Sequence, residues 1–176
     1  MQDVNVLVTF WSRTGRTEKL ALAAALGAVQ ARANIRLRWL REDVDERLVG
    51  EVPGWSENRE RMSGEYVAPR EADLAWADAV IVGAPARAEL AGPEFQAYFE
   101  LLRGAHGKGQ LHSRAGAAVI SGAGANDCAL PGVYEALARL DLILVPAHYG
   151  SEADALQAAR AHGRRVTEVA RALKAL

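Results

Sequence analysis

At 176 residues, half of them hydrophobic, the chain is long enough to bury one sizeable core and too short for two ordinary domains, so a single domain over 1–176 is expected. Its 21 basic residues nearly cancel 22 acidic ones for a net charge of −1, leaving no global field to draw in nucleic acid or an anionic membrane. The lone cysteine, Cys128, excludes an internal disulfide framework and a cysteine-only metal site.

Taken in chain order, Val4 to Phe10 is β-branched and almost continuously apolar, which predicts a central parallel strand covered on both faces. A helix is expected from about Arg16 to Arg32, with Leu20, Ala23, Ala24, Gly27 and Ala31 at helical spacing. Between the two stands Ser12-Arg13-Thr14-Gly15-Arg16-Thr17. Strand, hydroxyl-rich turn and helix in that order put backbone N–H groups and hydroxyls at a positive helix N-terminus, where a phosphate can be held. On spacing alone, an ordinary turn with a Ser or Thr cap explains the stretch equally well.

Ile35 to Leu40 alternates apolar with charged, the pattern of an edge strand with Arg36 and Arg38 on a solvated face. From about 41 to 70 the chain is polar, broken by Pro53-Gly54 and Ser63-Gly64, and shows no sustained period. This surface insertion reads either as a lid or subunit contact involving Trp55 and Tyr66, or as a disordered connector. A short helix over 71–78 leads into a second apolar strand, Ala79 to Gly83. A helix over roughly 92–103 follows, its Phe95, Tyr98, Phe99 and Leu102 forming a stripe suited to core or subunit interface. Then come a strand over Ala115–Ser121, a turn, a helix over 132–140, a strand over 142–146 and an amphipathic helix from about Glu152 to Leu176.

Five alternations of strand and helix indicate an α/β, doubly wound three-layer sheet, in which ligands bind beyond the carboxyl ends of the strands. The turns at 11–17, 84–91, 121–127 and 147–151 all lie on that edge. His148 and Tyr149 are therefore candidates for contacting a ligand, His148 as a proton donor or acceptor; a surface pair packed on the sheet edge fits them as well. His106 and His112 fall on the opposite edge, and His162 reads as an exposed mid-helix residue. Trp11 either flanks a ligand or joins the core. No His, Cys and Asp spacing suggests a metal site. Ser12 lacks the G-x-S-x-G context of a hydrolase nucleophile. No apolar run approaches the roughly 20 residues of a bilayer-crossing helix, and no signal-peptide pattern opens the sequence, so a soluble, cytoplasmic location is expected.

The stretch from Leu7 to Ala21 resembles the phosphate loop of flavodoxin-like proteins, a hydroxyl residue, any residue, Thr, Gly, any residue, Thr, with every hydroxyl position filled. Asp78-Ala79-Val80-Ile81-Val82-Gly83-Ala84-Pro85-Ala86-Arg87 is similar to the D-A-I-I-x-G-x-P-T-R segment of the WrbA-type NAD(P)H:quinone oxidoreductases. Ala159-Arg160-Ala161-His162-Gly163-Arg164-Arg165-Val166 is similar to that family's A-R-x-x-G-x-x-V. The resemblance implies a flavodoxin-like five-stranded parallel sheet in the order 2-1-3-4-5, with bound FMN taking hydride from NAD(P)H and reducing a quinone or similar small acceptor, in a homo-oligomer, dimer or tetramer.

By the same resemblance Ser12, Thr14, Gly15 and Thr17 bind the phosphate, with Arg13 and Arg16 adding charge. Pro85, Ala86 and Arg87 line the flavin and Ser121, Gly122 and Gly124 offer backbone groups to its polar edge; their neighbours Ala88 and Ala123, and Tyr149 from its place on the binding edge, are counted with them as cofactor-binding candidates. Ala88-Glu89-Leu90 departs from the family's aromatic, Gly and Asn at that place, and Ala123-Gly124-Ala125-Asn126-Asp127 from its Gly- and His-rich loop. Two other readings stay open on these residues: a flavodoxin-type electron carrier, and a flavodoxin-fold binding module that has lost FMN.

Overall fold

Five parallel strands make one sheet in the computed structural model, which describes residues 3–41, 44–86, 90, 92–122, 129–147 and 154–176. They are β1 (Val4–Phe10), β2 (Ala33–Trp39), β3 (Ala79–Pro85), β4 (Ala115–Ser121) and β5 (Ile143–Leu144), ordered β2-β1-β3-β4-β5. Register runs Val4 opposite Ala33 on one side of β1 and Val6 opposite Ala79 on the other, and continues from Ala79 opposite Ala115 to Pro85 opposite Ser121. The switch in strand order falls at β1 and β3, so their carboxyl ends open the crevice in which such sheets bind ligands.

Helices cover both faces. On one lie α1 (Arg16–Gln30) and α7 (Ala155–Lys174), packed on Val4, Val6, Val8 and Phe10 of β1. On the other lie α4 (Glu71–Trp76), α5 (Pro93–Gly107) and α6 (Ala129–Ala138), packed on Leu7, Val80, Val82 and Ile120. Strands β1, β3 and β4 are apolar on both sides because both their sides are covered. The stripe Phe95, Tyr98, Phe99 and Leu102 is buried in this second core.

Helices α1 and α7 cross with their backbones in close approach. A Cβ built on Gly163 would stand 1.9 Å from the Ala24 carbonyl oxygen, and one on Gly27 would stand 1.9 Å from that of Arg160. The two backbones meet where neither residue carries a side chain, so Gly163 of the A-R-x-x-G-x-x-V stretch serves packing.

Several expectations are corrected. The insertion carries two helices, α2 (Glu46–Glu51) and α3 (Trp55–Glu65). Helix α3 turns only Trp55 and Met62 inward, and two apolar points seven residues apart make no visible period. Arg36 and Arg38 do not merely face solvent: both grip Asp73, which is 3% exposed, at 3.1 and 2.7 Å. Asp73 also accepts from the Arg70 N–H at 3.0 Å. His162, expected exposed, is 5% exposed and packs inward. The last strand is two residues long because the Tyr134 hydroxyl donates to the Val145 carbonyl at 2.8 Å and accepts from the Ala147 N–H at 2.7 Å, occupying groups a longer strand would pair. Among the described residues no helix is long and apolar enough to cross a membrane.

Candidate functional site

The end of β1 is clamped from both sides: the Trp11 N–H donates to the Gly83 carbonyl at 3.0 Å, and the Leu40 N–H donates to that of Phe10 at 2.8 Å. The chain then leaves the sheet through Ser12, Arg13 and Thr14 and turns at Gly15, which caps α1 with φ of 81°. That left-handed conformation favours glycine, and glycine has no side chain with which to cap the helix. Among the described residues no side chain caps α1. Its first intrahelical bond, Lys19 N–H to the Gly15 carbonyl, is 3.1 Å long. The N–H groups of Arg16, Thr17 and Glu18 come before it, in the stretch of a helix that lacks partners of its own.

Two further walls are tied to this turn. The Thr17 and Ser121 hydroxyls share a hydrogen bond of 2.8 Å, joining the first turn of α1 to the carboxyl end of β4. The Ala86 N–H donates to the Ser121 carbonyl at 2.9 Å, closing β3 against β4. The result is a cavity of about 380 Å³ lined by Ser12, Arg13, Thr14, Arg16, Thr17, Pro85, Ala86, Ser121 and Gly122. Three separate stretches of sequence, each singled out by pattern, thus converge. Within this lining, the Ser12 hydroxyl is buried and finds no hydrogen-bond partner among the described residues. A buried polar atom of that kind calls for an explanation, and a bound anion is one.

Charge around the turn is set by the insertion. The Arg13 guanidinium lies 4.9 Å from the centre of the Trp11 ring and 4.6 Å from that of Trp55, a cation held between two aromatic faces. Trp11 itself is buried, edge-on to Phe95, so it belongs to the core as well as to the border of the site. Glu18 lies buried behind the turn. Arg61 of α3 donates to both its oxygens, at 3.0 and 2.5 Å, and the Tyr66 hydroxyl donates at 2.8 Å. Burial pushes the Glu18 carboxyl up, but the Arg61 and Tyr66 hydrogen bonds and the Arg61 charge outweigh it, and its pKa lies below the ordinary value. Burial and the Glu18 carboxylate both hold the Tyr66 phenol protonated to higher pH than usual.

Trp55 and Tyr66, expected in a lid or subunit contact, therefore pack inward, and Arg61 is a residue the sequence did not single out. Arg87, Ala88, Ala123, Gly124, His148 and Tyr149 lie outside the described residues, as do Glu89 and Cys128. Leu90 is described, and it lies against the position a Cβ would take on Gly132 of α6. His106 is on the opposite edge, 3.8 Å from Asp141. Among the described residues no group of His, Cys, Asp and Glu is arranged to hold a metal ion.

A 2-1-3-4-5 parallel sheet with a hydroxyl-lined, uncapped helix N-terminus at its switch point defines a flavodoxin-type protein. No protein-family model matches the chain. A relative in Brucella suis named NAD(P)H dehydrogenase (quinone) is 30% identical over 149 residues, covering 83% of this chain and 72% of the relative. A protein of the same name in Deinococcus radiodurans is 26% identical over 167 residues, covering 93% of this chain and 83% of its own. Among solved structures, a WrbA-like flavodoxin from Agrobacterium tumefaciens superimposes with a TM-score of 0.63 at 19% identity, over 96% of this chain and 98% of that one. The chain belongs to the NAD(P)H dehydrogenase (quinone) family.

Proposed function

We propose that this protein is an FMN-dependent NAD(P)H:quinone oxidoreductase whose Ser12–Thr17 turn holds the cofactor's phosphate. The observation that carries this reading is the buried, unpartnered Ser12 hydroxyl in the lining of a cavity at an uncapped helix N-terminus. Family membership supports the activity, since the relatives carry it in their names.

The residues present suit a phosphate. Ser12 and Thr14 offer hydroxyl donors, and the first N–H groups of α1 offer backbone donors whose dipole favours negative charge. In the Thr17–Ser121 pair one hydroxyl donates to the other, and the accepting hydroxyl keeps its own proton to give to an anion. Arg13 and Arg16 add positive charge at the cavity wall. Pro85, Ala86, Arg87 and Ala88, with Ser121 to Gly124, are proposed to border the ring, and His148 and Tyr149 to stand at its edge, His148 exchanging a proton there. Bound in this way, FMN supplies the hydride and electron transfer between NAD(P)H and a quinone, and the protein's task is to bind, orient and shield it. A homo-oligomer in the cytoplasm is part of the same proposal.

The test is spectroscopic. Purified protein titrated with FMN should show a perturbed flavin spectrum and a higher melting temperature, and the loaded protein should oxidise NADH or NADPH when a benzoquinone is supplied. No spectral change and no thermal shift at saturating FMN would refute the reading. Tight binding without quinone-dependent turnover would point to the electron-carrier alternative.

A further inference from the structure

We infer that Arg61, on the inserted helix α3, is a positioning residue for the phosphate site: it neutralises a carboxylate, Glu18, that would otherwise compete with a bound phosphate for the same helix N-terminus. The inference rests on the reading of Ser12–Thr17 as an FMN-phosphate cradle and adds to it the role of the insertion.

Glu18 sits in the first turn of α1, where a carboxylate is ordinarily favourable because the helix dipole is positive there. A phosphate uses that same positive end, and two like charges there oppose one another. Glu18 is close: one of its oxygens lies 3.6 Å, and the Asn58 side-chain oxygen 3.8 Å, from the place a Cβ would take on Gly15. Its side chain is 7% exposed, so water does little to screen it.

Arg61 answers this with a two-pronged guanidinium, one nitrogen on each Glu18 oxygen, the arrangement in which Arg–carboxylate pairing is strongest. Tyr66 completes the cage from just beyond the end of α3. Helix α3 is itself anchored by Trp55 and Met62 in the two cores, and Trp55 also backs Arg13. The segment between β2 and β3 therefore presents a neutralised Glu18 and a fixed Arg13 to the turn. Without Arg61, the buried carboxylate would lose its paired guanidinium and keep only the Tyr66 hydroxyl and the charge of Lys19.

Riboflavin separates this role from a structural one, because it carries the same ring and ribityl chain without the phosphate. Dissociation constants for FMN and riboflavin are measured by flavin-fluorescence quenching for wild type, Arg61→Met, Arg61→Lys, Glu18→Gln and the double variant Glu18→Gln/Arg61→Met. Arg61→Met should weaken FMN about tenfold or more while riboflavin changes by less than about twofold, the signature of an unpaired charge acting on the phosphate alone. Arg61→Lys should recover most of the loss, and the double variant should return FMN to within about threefold of wild type, because position 18 then carries no charge to be neutralised.

Equal weakening of both flavins in Arg61→Met, or no recovery in the double variant, overturns the inference. If Arg61→Met does not fold, Glu18→Gln decides: FMN held or tightened relative to riboflavin supports the role, and selective loss of FMN overturns it. A wild-type protein that fails to bind FMN refutes the functional proposal itself; one that binds FMN with an FMN-to-riboflavin ratio indifferent to these substitutions refutes only the role of Arg61.

Discussion

Replacing Gly163 with alanine adds one methyl group at the α1–α7 crossing, and the cost can be worked from the backbone. The new Cβ would lie 1.9 Å from the Ala24 oxygen and 2.6 Å from its carbonyl carbon, whereas real Cβ atoms essentially never approach within 3.0 Å. The obstacle is main chain, so no side chain can rotate away. The helices must move apart by about 1 Å, loosening Ala21, Ala24, Ala25, Ala28, Ala159, Val166 and Ala170 together. Overpacking of this kind costs about 3 kcal/mol or more, against which alanine regains up to about 1 kcal/mol of helix propensity. A net loss of about 2 kcal/mol should lower the melting temperature by about 4–8 °C in a chain of this size, read by circular dichroism. Gly104 is the internal control, because it sits in α5 with nothing within 4 Å of its built Cβ. Gly104→Ala should gain up to about 1 kcal/mol. A Gly163→Ala protein as stable as wild type would refute the account of the crossing.

Further outcomes follow from other groups. Ser12→Ala should weaken FMN about tenfold, the loss of one hydrogen bond to a charged group, while leaving the melting temperature of the unloaded protein equal or slightly higher, since an unpartnered buried hydroxyl is removed. Burial, helped by the nearby Arg165 charge and opposed by the Ala118 carbonyl, pushes the His162 imidazole down to about 4 from an ordinary 6.5. The unfolded chain then binds more protons than the folded one between those values, so stability present above pH 6.5 is lost as pH falls toward 4, by up to about 3 kcal/mol. His162→Gln should flatten that part of a urea-midpoint profile between pH 7 and 5. Asp73→Asn strips the charge that Arg36 and Arg38 share and should cost about 2 kcal/mol in urea unfolding.

How much could be read from the sequence depended on whether the determining contacts are local. The apolar runs at Val4–Phe10 and Ala115–Ser121 coincide with β1 and β4, because a strand covered on both faces advertises itself in its own residues. The turn at 12–17 was legible as a turn between strand and helix, from the hydroxyls of Ser12, Thr14 and Thr17 and the glycine at 15. The role of Arg36 and Arg38 was not, because their partner Asp73 lies more than thirty residues away. Arg61 was hidden for the same reason, meeting Glu18 across 43 residues. His162 is different: Ala159, His162, Gly163, Val166 and Ala170 share one face of α7, so its burial was available from helical spacing. The sheet's last strand misled in the other direction, because Leu142 to Val145 is apolar enough to read as strand while a tyrosine from another helix takes its polar groups.

That short strand bears on how the protein behaves when crowded with copies of itself. A long open edge invites another chain to add a strand, and both ends of this sheet discourage it. At one end β5 is two residues long, with Pro146 following Val145 close behind it. At the other, β2 carries arginines, and its Trp39 N–H is taken by the Val67 carbonyl at 3.2 Å. Tyr134 shortens β5 from the inside, taking the Val145 carbonyl and the Ala147 N–H on the side that faces β4.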